Sequence, residues 1–567
     1  MEKSRTQKFL TGFFSLLVFA IFFLAVFLFS LHPIRESDTG FIIRTGEYIW
    51  NTGLIPHADI FSFTAPNAPW IAHYWLPGLL FFFFYSLFGV WGIILFVGCI
   101  AFLTFFVIFK TAGLFTHTLW IPFIFFFFFF SLTFDLWSAR PQIFSYLFAS
   151  ILLYIIFSFK KNRVFKKLLF FPPLLFLWAN MHAGVVFGIA LLLIFLISEI
   201  IREWRFYNKE LLHKGLVVFS SIFITLLNPN GFSLLTYSQS IAPTAKELGV
   251  MEWFSIFDRF STWQAKTFFL FMCISALFVL WNIVKRKKQF FRNDFFEIGL
   301  VLFVFILPLV SVRHIIFFPI AVFPLFLWTL EWHHEKEIIR IEKFLQSSFS
   351  IPLFFILLLL VVAGGISLKR NIAFGAVDGR VLPVGAVDFI IRENISGPFF
   401  NLENGGYLIW KLWPKEKVFL DGRNEVYKGL PTKEYISVAR QEGDWKKIID
   451  EKYHINGMIL WYRPPLDIFA NNLVVRLLQE NEFTLVYWDD AAIILLRNNE
   501  MNRNIIVRFG YSIINPFRNP TTITAKNMDV ALHEIKRARM IASQSAVLEE
   551  YEYILIHRAL TTKKLLQ

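Results

Sequence analysis

From Phe9 to Leu31 the chain carries no charged residue, and apolar runs of the same kind recur to about residue 367. That repetition constrains the fold more than any other feature. A helix needs ~20 apolar residues to cross a hydrocarbon layer of ~30 Å. Candidate spans lie near 9–31, 72–89, 90–109, 116–134, 141–159, 168–181, 183–201, 214–228, 266–284, 295–311, 313–330 and 350–367. With 56% hydrophobic residues and 74 phenylalanines, the chain has more apolar surface than a water-soluble domain can hide. The first run is too long for the apolar core of a signal peptide. No small-residue cleavage site follows it, so it reads as a retained span.

The net charge of +14 comes largely from short basic segments between the runs. These are the N-terminus "MEKSRTQK", "KKNRVFKK" (160–167), "REWRFYNKELLHK" (202–214), "KRKKQFFRND" (285–294) and "EWHHEKEIIRIEK" (331–343). Such loops face the cytoplasm, so the charge reports membrane topology and not nucleic-acid binding. The N-terminus is then cytoplasmic and the C-terminal domain extracytoplasmic, in the cytoplasmic (inner) membrane. One count resists this scheme. The loop after the first span is outside and "KKNRVFKK" is inside, yet four apolar candidates separate them. One of the four must re-enter or lie flat; "LPGLL" (76–80) and the Phe-rich run 121–134 are the suspects. The two cysteines, Cys99 and Cys273, sit in apolar runs and give neither a disulfide framework nor a metal motif.

Under this topology the polar residues gather at the outer ends of the spans. They are Glu36, Asp38, His57, Asp59 and His73 in and after the first loop, then Arg140, Gln142, Asn180 and His182. Asn228, Asn230, Glu252, Asp258, Arg313 and His314 follow. An ionisable group at membrane depth costs ~2.5–3.5 kcal/mol, so such groups usually face a cavity and act there. Simpler readings stand beside this one. Arginines at span ends can snorkel to headgroups, Asp38 can cap the helix that follows, and "NPNG" is a turn signal. That helix, 39–52, places Phe41, Ile42, Thr45, Tyr48 and Ile49 on one face and reads as lying flat at the membrane interface.

The long apolar runs stop near Lys369. Residues 369–498 read as an α/β domain. "GPFFNLENGGYLIW" carries a hairpin signal around Asn-Gly. "KVFLDGR", "NGMILWY", "FTLVYWD" and "AAIILLR" read as strands, and "DWKKIIDEKY" and "LDIFANNLVVRLLQEN" as helices. The tail, 499–567, reads as a helical hairpin that packs on the domain or on a partner. The fold class is therefore a polytopic α-helical membrane protein of about 11–13 transmembrane helices. Its domains are a membrane domain (1–368, with a first outer loop 32–71), an extracytoplasmic α/β domain (369–498) and a helical tail (499–567).

The arrangement resembles the GT-C superfamily of membrane glycosyltransferases, whose first outer loop carries an acidic motif followed by horizontal helices. "ESD", with Glu36 and Asp38, stands where that motif belongs. The chain is also similar to a family of GT-C-like bacterial membrane proteins. The likeness is carried by "DTGFIIRTGEYIWNTGLIPHADIFSFT" (38–64), "PWIAHYWL" (69–76), "RPQIFSY" (140–146), "WANMHAG" (178–184) and "NPNGFSLLTY" (228–237). "EWFS" (252–255), "RHIIFFPI" (313–320), "NLENGGYLIWKLWPKEKVFLDGRNEVY" (401–427) and "LVYWDDAAIILLR" (485–497) complete it, over about residues 32–497.

The resemblance implies transfer of a sugar from a polyprenyl-phosphate donor to a glycan, lipid or protein acceptor outside the membrane. Asp38 would be the general base, with Glu36 and Asp59 as further catalytic carboxylates. The two acids of "ESD" are not adjacent, which makes Asp38 the firmer assignment. Arg140 and Arg313 would clamp the departing phosphate, since guanidinium groups bind phosphate oxygens in pairs. His73 and His182 would act as phosphate ligands or proton carriers, and His57, Gln142, Asn180 and Glu252 would complete the donor site. In the outer domain, the "NGGY…DGRNEVY" pattern is similar to the outer domain of oligosaccharyltransferase catalytic subunits. It nominates Tyr407, Asp421, Arg423 and Glu425 as contacts to acceptor or donor, against a simpler reading as a hairpin with a structural Asp–Arg pair. Some GT-C relatives need a divalent metal; the acids here fit no metal motif, so a metal is left open. Two rivals remain at this stage: a transporter or flippase for a lipid-linked saccharide, and a non-catalytic membrane assembly protein.

Overall fold

The computed structural model describes residues 17–115, 133, 136–203, 209–284, 294–344, 355–356, 358–366, 369, 376–462 and 468–566. The expected span 116–134, with its Phe-rich run, lies almost wholly outside the described residues. In chain order the helices are α1 (Leu17–Ser30), α2 (Asp38–Thr52), α3 (Trp75–Ala112), α4 (Gln142–Asn162), α5 (Phe171–Met181), α6 (Val185–Glu203) and α7 (Lys209–Ile224). Next come α8 (Ser233–Glu247), α9 (Trp263–Val284), α10 (Phe295–Val310) and α11 (Phe317–Phe344). The chain then alternates: α12 (Val384–Arg392), β1 (Phe399–Leu402), α13 (Gly405–Leu412), α14 (Leu430–Arg440), β2 (Gly457–Trp461), α15 (Ile468–Gln479), β3 (Phe483–Trp488) and β4 (Ala492–Arg497). Helices α16 (Arg503–Phe509), α17 (Met528–Ile541) and α18 (Ala546–Leu566) end it. These elements fall into two units, one of Met1–Pro33 with Ile71–Ala376, the other of Ile34–Trp70 with Val377–Gln567.

The first unit is helical and greasy. Helices α3, α4 and α6 are long and apolar enough to cross a membrane, and shorter apolar helices cover Leu17–Ser30, Ala265–Trp281, Phe295–Val310 and Val312–Leu327. Large apolar side chains point outward in helical stripes: Leu216, Phe219 and Phe223 on α7, Leu270, Ile274 and Leu277 on α9, Leu302, Ile306 and Val310 on α10. Stripes of this size in water would drive aggregation; in hydrocarbon they are solvated. The chain is a membrane protein.

Two expected spans take another form. Gly89, at φ 61° and ψ −151°, breaks α3, a positive φ that glycine adopts without strain. Phe84 stacks on Phe96 at 4.4 Å and Phe81 lies 6.1 Å from the same ring. In a straight helix, residues 84 and 96 would stand about 18 Å apart, so the chain doubles back at Gly89. The arm 75–88, which holds "LPGLL", is about 21 Å long and falls short of a ~30 Å layer. Its rings meet Phe96 and Phe144, near the start of α4. The other end of α4 meets the chain beyond the second arm, where Phe157 packs on Phe115 and Lys161 donates to the Leu114 carbonyl. The first arm therefore stays at one end of the unit. The candidate at 168–181 becomes a 3-10 turn, Phe165–Phe170, followed by α5, which starts on prolines and is 11 residues long. At about 17 Å, α5 cannot cross alone.

The basic-loop end of this unit is clamped by ion pairs. Glu199 takes Arg163 at 2.9 Å, Arg202 at 2.6 Å and the fully buried Lys214 at 2.9 Å. Lys160 pairs with Glu297 at 2.6 Å. These contacts join the ends of α4, α6, α7 and α10 where the sequence concentrates its lysines and arginines.

The second unit is α/β. Its four-stranded sheet has the order β1-β2-β4-β3, with β1 parallel to β2 and the other pairs antiparallel. Strands β2 and β4 are buried along nearly their whole length, because helices cover the sheet and no alternating polar face is needed. The expected strands at "NGMILWY", "FTLVYWD" and "AAIILLR" form as β2, β3 and β4, "LDIFANNLVVRLLQEN" forms α15, and "DWKKIIDEKY" forms one α turn, Trp445–Lys447, that runs into a π-helix, Ile448–Lys452.

The expected hairpin at 397–410 does not form. Phe399–Leu402 is a strand, but Glu403 (φ 65°) and Asn404 (φ 55°) turn the chain straight into α13. "KVFLDGR" is not a sheet strand either. Val418 forms an isolated bridge with Ser62, and the buried Asn401 amide takes over the bonding: its oxygen accepts the Phe419 N–H at 2.8 Å and its nitrogen donates to the Leu420 carbonyl at 2.7 Å.

Helix α2 also differs from its expected flat seat at the interface. Phe41, Ile42, Thr45 and Ile49 are buried within this unit, where α2 packs on α13. Gly40 permits that contact: a Cβ there would lie 2.2 Å from the Gly406 carbonyl oxygen. The tail forms the expected helical hairpin, α17 and α18. It docks on the sheet through Trp488 against Tyr551, with ring centroids 5.3 Å apart. Asp490 accepts from Ser545 Oγ and from the N–H groups of Ala546 and Val547, capping the start of α18.

Candidate functional site

Polar groups cluster in each unit. In the first, the chain leaves helix ends at five places and brings their polar residues together. Arg140, just before α4, donates Nη1 and Nη2 to the two oxygens of Glu252 at 3.0 and 3.1 Å. Glu252 sits in a 3-10 turn, Met251–Trp253, tied to the end of α10 by Ser311 Oγ, which donates to the Glu252 carbonyl at 2.8 Å. Arg313 approaches the same carboxylate at 3.9 Å and lies over the Trp253 ring at 4.5 Å. Two guanidinium groups thus share one carboxylate. Both arginines are mostly covered, with side chains 16% and 21% exposed. That orders them by bonding and stacking, beyond simple snorkelling.

Imidazoles adjoin the trio. The His73 ring lies 4.1 Å from Tyr237 and 5.6 Å from His182. Arg313 acts electrostatically on His73, and Arg140, Arg313 and His314 on His182. His182 is held in one tautomer. Trp178 Nε1 donates to Ser145 Oγ at 2.8 Å, leaving the Ser145 hydroxyl to donate to His182 Nδ1 at 2.7 Å. The Gly184 N–H donates to the same Nδ1 at 3.1 Å. A nitrogen that accepts two bonds carries no proton, so the neutral ring keeps its hydrogen on Nε2. Gln142 opens α4 two residues after Arg140 and one turn before Tyr146. Asn180 is buried and donates to the Phe176 and Leu227 carbonyls, a structural bond between α5 and the end of α7. Asn228 closes its own turn by accepting from the Asn230 N–H, and Asp258 accepts from the Ser255 N–H.

The second cluster joins segments far apart in sequence. Asp59 is buried. Its oxygens accept from the N–H groups of Phe61 (3.1 Å) and Ser62 (3.0 Å), from Ser62 Oγ (2.6 Å) and from Arg423 Nη2 (2.7 Å). Asp421 accepts from the Arg423 N–H, Nε and Nη2 at 2.9, 2.8 and 2.6 Å and from the Tyr427 hydroxyl. The Arg423 guanidinium lies over the rings of Trp70 (4.5 Å) and Phe61 (5.0 Å). Burial opposes its charge, but Asp421 and then Asp59 outweigh that and raise its pKa above the ordinary value. Burial and the Asp421 charge likewise hold the Tyr427 hydroxyl well above the phenol range, so it stays a donor. Asp38 opens α2 and is half-buried, its carboxylate close against Gly422.

The expected residues thus divide. His73, Arg140, Gln142, His182, Glu252 and Arg313 come together in the first unit. Asp59, Asp421 and Arg423 come together in the second, in a closed network whose oxygens already have donors. Tyr407 is buried, its N–H donating to Ser37 Oγ at 3.0 Å. Glu425 is buried, Glu36 half-buried and His57 exposed. Among the described residues, no three His, Cys, Asp or Glu are grouped as a metal ion would require. Ser145, Trp178, Tyr237, Gly422 and Tyr427 all lie inside the segments that carry the family resemblance, but no local signal singles them out, because Ser145 and Gly422 matter only through distant partners.

No family model matches the sequence, and no curated protein does. Among solved structures, the crystal structure of ArnT from Cupriavidus metallidurans in the apo state is similar, with a TM-score of 0.45 and 11% identity, over 86% of this chain and 98% of that one.

Proposed function

We propose that the protein is a membrane glycosyltransferase of the GT-C type. It would move a sugar from a polyprenyl-phosphate donor to a glycan, lipid or protein acceptor on the outer face of the cytoplasmic membrane. The observation that carries this reading is the Arg140–Glu252–Arg313 trio beside His73 and His182, a cluster of guanidinium and imidazole groups built from helix ends of a lipid-facing unit. Such a cluster suits an anionic group that arrives on a lipid. Glu36 and Asp38, which resemble the GT-C acidic motif, support the same reading.

In the proposed step the acceptor oxygen attacks the anomeric carbon as the bond to the phosphate oxygen breaks. The phosphate leaves with the electron pair, and Arg140 and Arg313 stabilise the charge that grows on it. Nε2–H of His182 would supply a further donor to that charge. Asp38 takes the proton of the acceptor hydroxyl, a role that requires hydrogen-bond reach. Glu252 holds the two guanidinium groups in place before donor arrives.

The test is transfer of radiolabel from polyprenyl-phosphate sugars to a membrane extract, by purified wild type and by Asp38→Asn. Transfer by wild type alone is the expected result. Equal transfer by both refutes Asp38 as the base. Donor retained by both without bond cleavage refutes the enzyme and favours a carrier of lipid-linked saccharide.

A further inference from the structure

Gly422 stands between Asp421 and Arg423 in a turn held from several sides. Asp421 accepts three bonds from Arg423. Arg423 in turn reaches Asp59, and Asn401 fixes Phe419 and Leu420 just before the turn. Gly422 is not among the residues with positive φ, so backbone freedom does not explain a glycine here. Space does. A Cβ built at Gly422 would lie 2.2 Å from Asp38 Oδ1 and 3.0 Å from its Cγ. Other glycines bring the neighbouring backbone equally close. A Cβ at Gly405 would lie 2.1 Å from the Leu420 carbonyl oxygen, and one at Gly406 would lie 2.4 Å from that of Ser37. Residues 37–40, 405–406 and 420–422 therefore meet backbone to backbone beside one carboxylate.

We propose that Gly422 is a positioning residue: the buried Asp59–Arg423–Asp421 network holds the 421–423 turn against Asp38, and the missing side chain at 422 sets where its carboxylate sits. This rests on the reading of Asp38 as the base. A base works only within ~2.6–3.2 Å of the proton it takes, and a displacement of about 1 Å lowers the rate about 10²-fold. Asp59 and Arg423 then act at a distance from the chemistry, through the turn.

A double-mutant cycle on the full chain tests the contact and its role separately. Gly422→Ala is expected to lower the thermal midpoint in the wild-type background, and to lower it much less in Asp38→Ala, where the obstructing oxygens are gone. Equal lowering in both backgrounds overturns the contact. If Gly422→Ala alone does not fold, Asp38→Ala must restore a folded protein, and failure to restore it also overturns the contact. In the label-transfer assay, Gly422→Ala is expected to reduce kcat about 10²-fold with KM for the polyprenyl-phosphate donor unchanged. A wild-type kcat in a variant whose stability is coupled to Asp38 refutes the positioning role. Absence of transfer by wild type itself refutes the glycosyltransferase reading, and the stability cycle then still decides whether the contact exists.

Discussion

Replacing Asp59 with asparagine removes one charge from the most constrained part of the second unit. Asparagine keeps an oxygen where Oδ1 accepts from the Phe61 N–H and Arg423 Nη2. Its NH2 group would meet the Ser62 N–H and hydroxyl, which now bond to Oδ2. The Ser62 hydroxyl can turn to accept, but the backbone N–H cannot. Arg423, fully buried, is left with Asp421 as its charged partner. Breaking a buried ion pair on one side costs about 3–5 kcal/mol. Local opening of this region should then become about 10²- to 10⁴-fold more frequent. Hydrogen exchange of peptides covering 57–70 and 416–428 reads this directly. They contain the Phe63 N–H bonded to the Val418 carbonyl and the Val418 N–H bonded to the Phe61 carbonyl. Faster exchange in both peptides, with α7 and α9 unchanged, is the expected result. Unchanged exchange in the 416–428 peptide would show that Asp59 does not anchor Arg423.

Two further predictions concern other parts of the molecule. Ser145→Ala removes the hydroxyl that donates to His182 Nδ1 and leaves Trp178 Nε1 without its acceptor, a loss of about 1–3 kcal/mol; the Gly184 N–H still donates to Nδ1, so nitrogen-15 spectra of labelled histidine should show the Nε2–H tautomer in wild type and variant alike, and an Nδ1–H tautomer in wild type refutes the assignment. Asp489 is pushed up to about 6, because burial outweighs the bonds it accepts from the Tyr487 hydroxyl and the Ala491 and Ala492 N–H groups. An acid with a raised native pKa contributes its stability below the unfolded value near 3.8 and loses it as pH rises through about 6. Asp489→Asn can keep all three bonds if Tyr487 accepts. The variant should therefore be more stable than wild type at pH 7, by up to about 3 kcal/mol, with the gap closing towards pH 4; a gap that widens on acidification refutes this account.

The sequence by itself settled the solvent. Uncharged runs the length of a bilayer leave no other medium for this much apolar surface, and charge set at the ends of those runs stands out because lipid penalises it. For that reason His73, Arg140, His182, Glu252 and Arg313 were legible in advance. The strands β2, β3 and β4 were legible too, since short apolar runs bounded by turn residues have few other outcomes.

Tertiary structure decided what depends on partners far along the chain. "NLENGG" reads locally as a hairpin turn, but Asn401 bonds to residues 419 and 420 and the chain enters a helix instead. The face of α2 suited lipid as well as protein, and Gly40 against Gly406 filled it with protein. Asp59 and Arg423 are separated by most of the chain, so nothing near either one reports the 2.7 Å pair they form. Sequence periodicity records which solvent a side chain prefers; it does not record which other side chain will replace that solvent, and that choice is made only when the whole chain has closed.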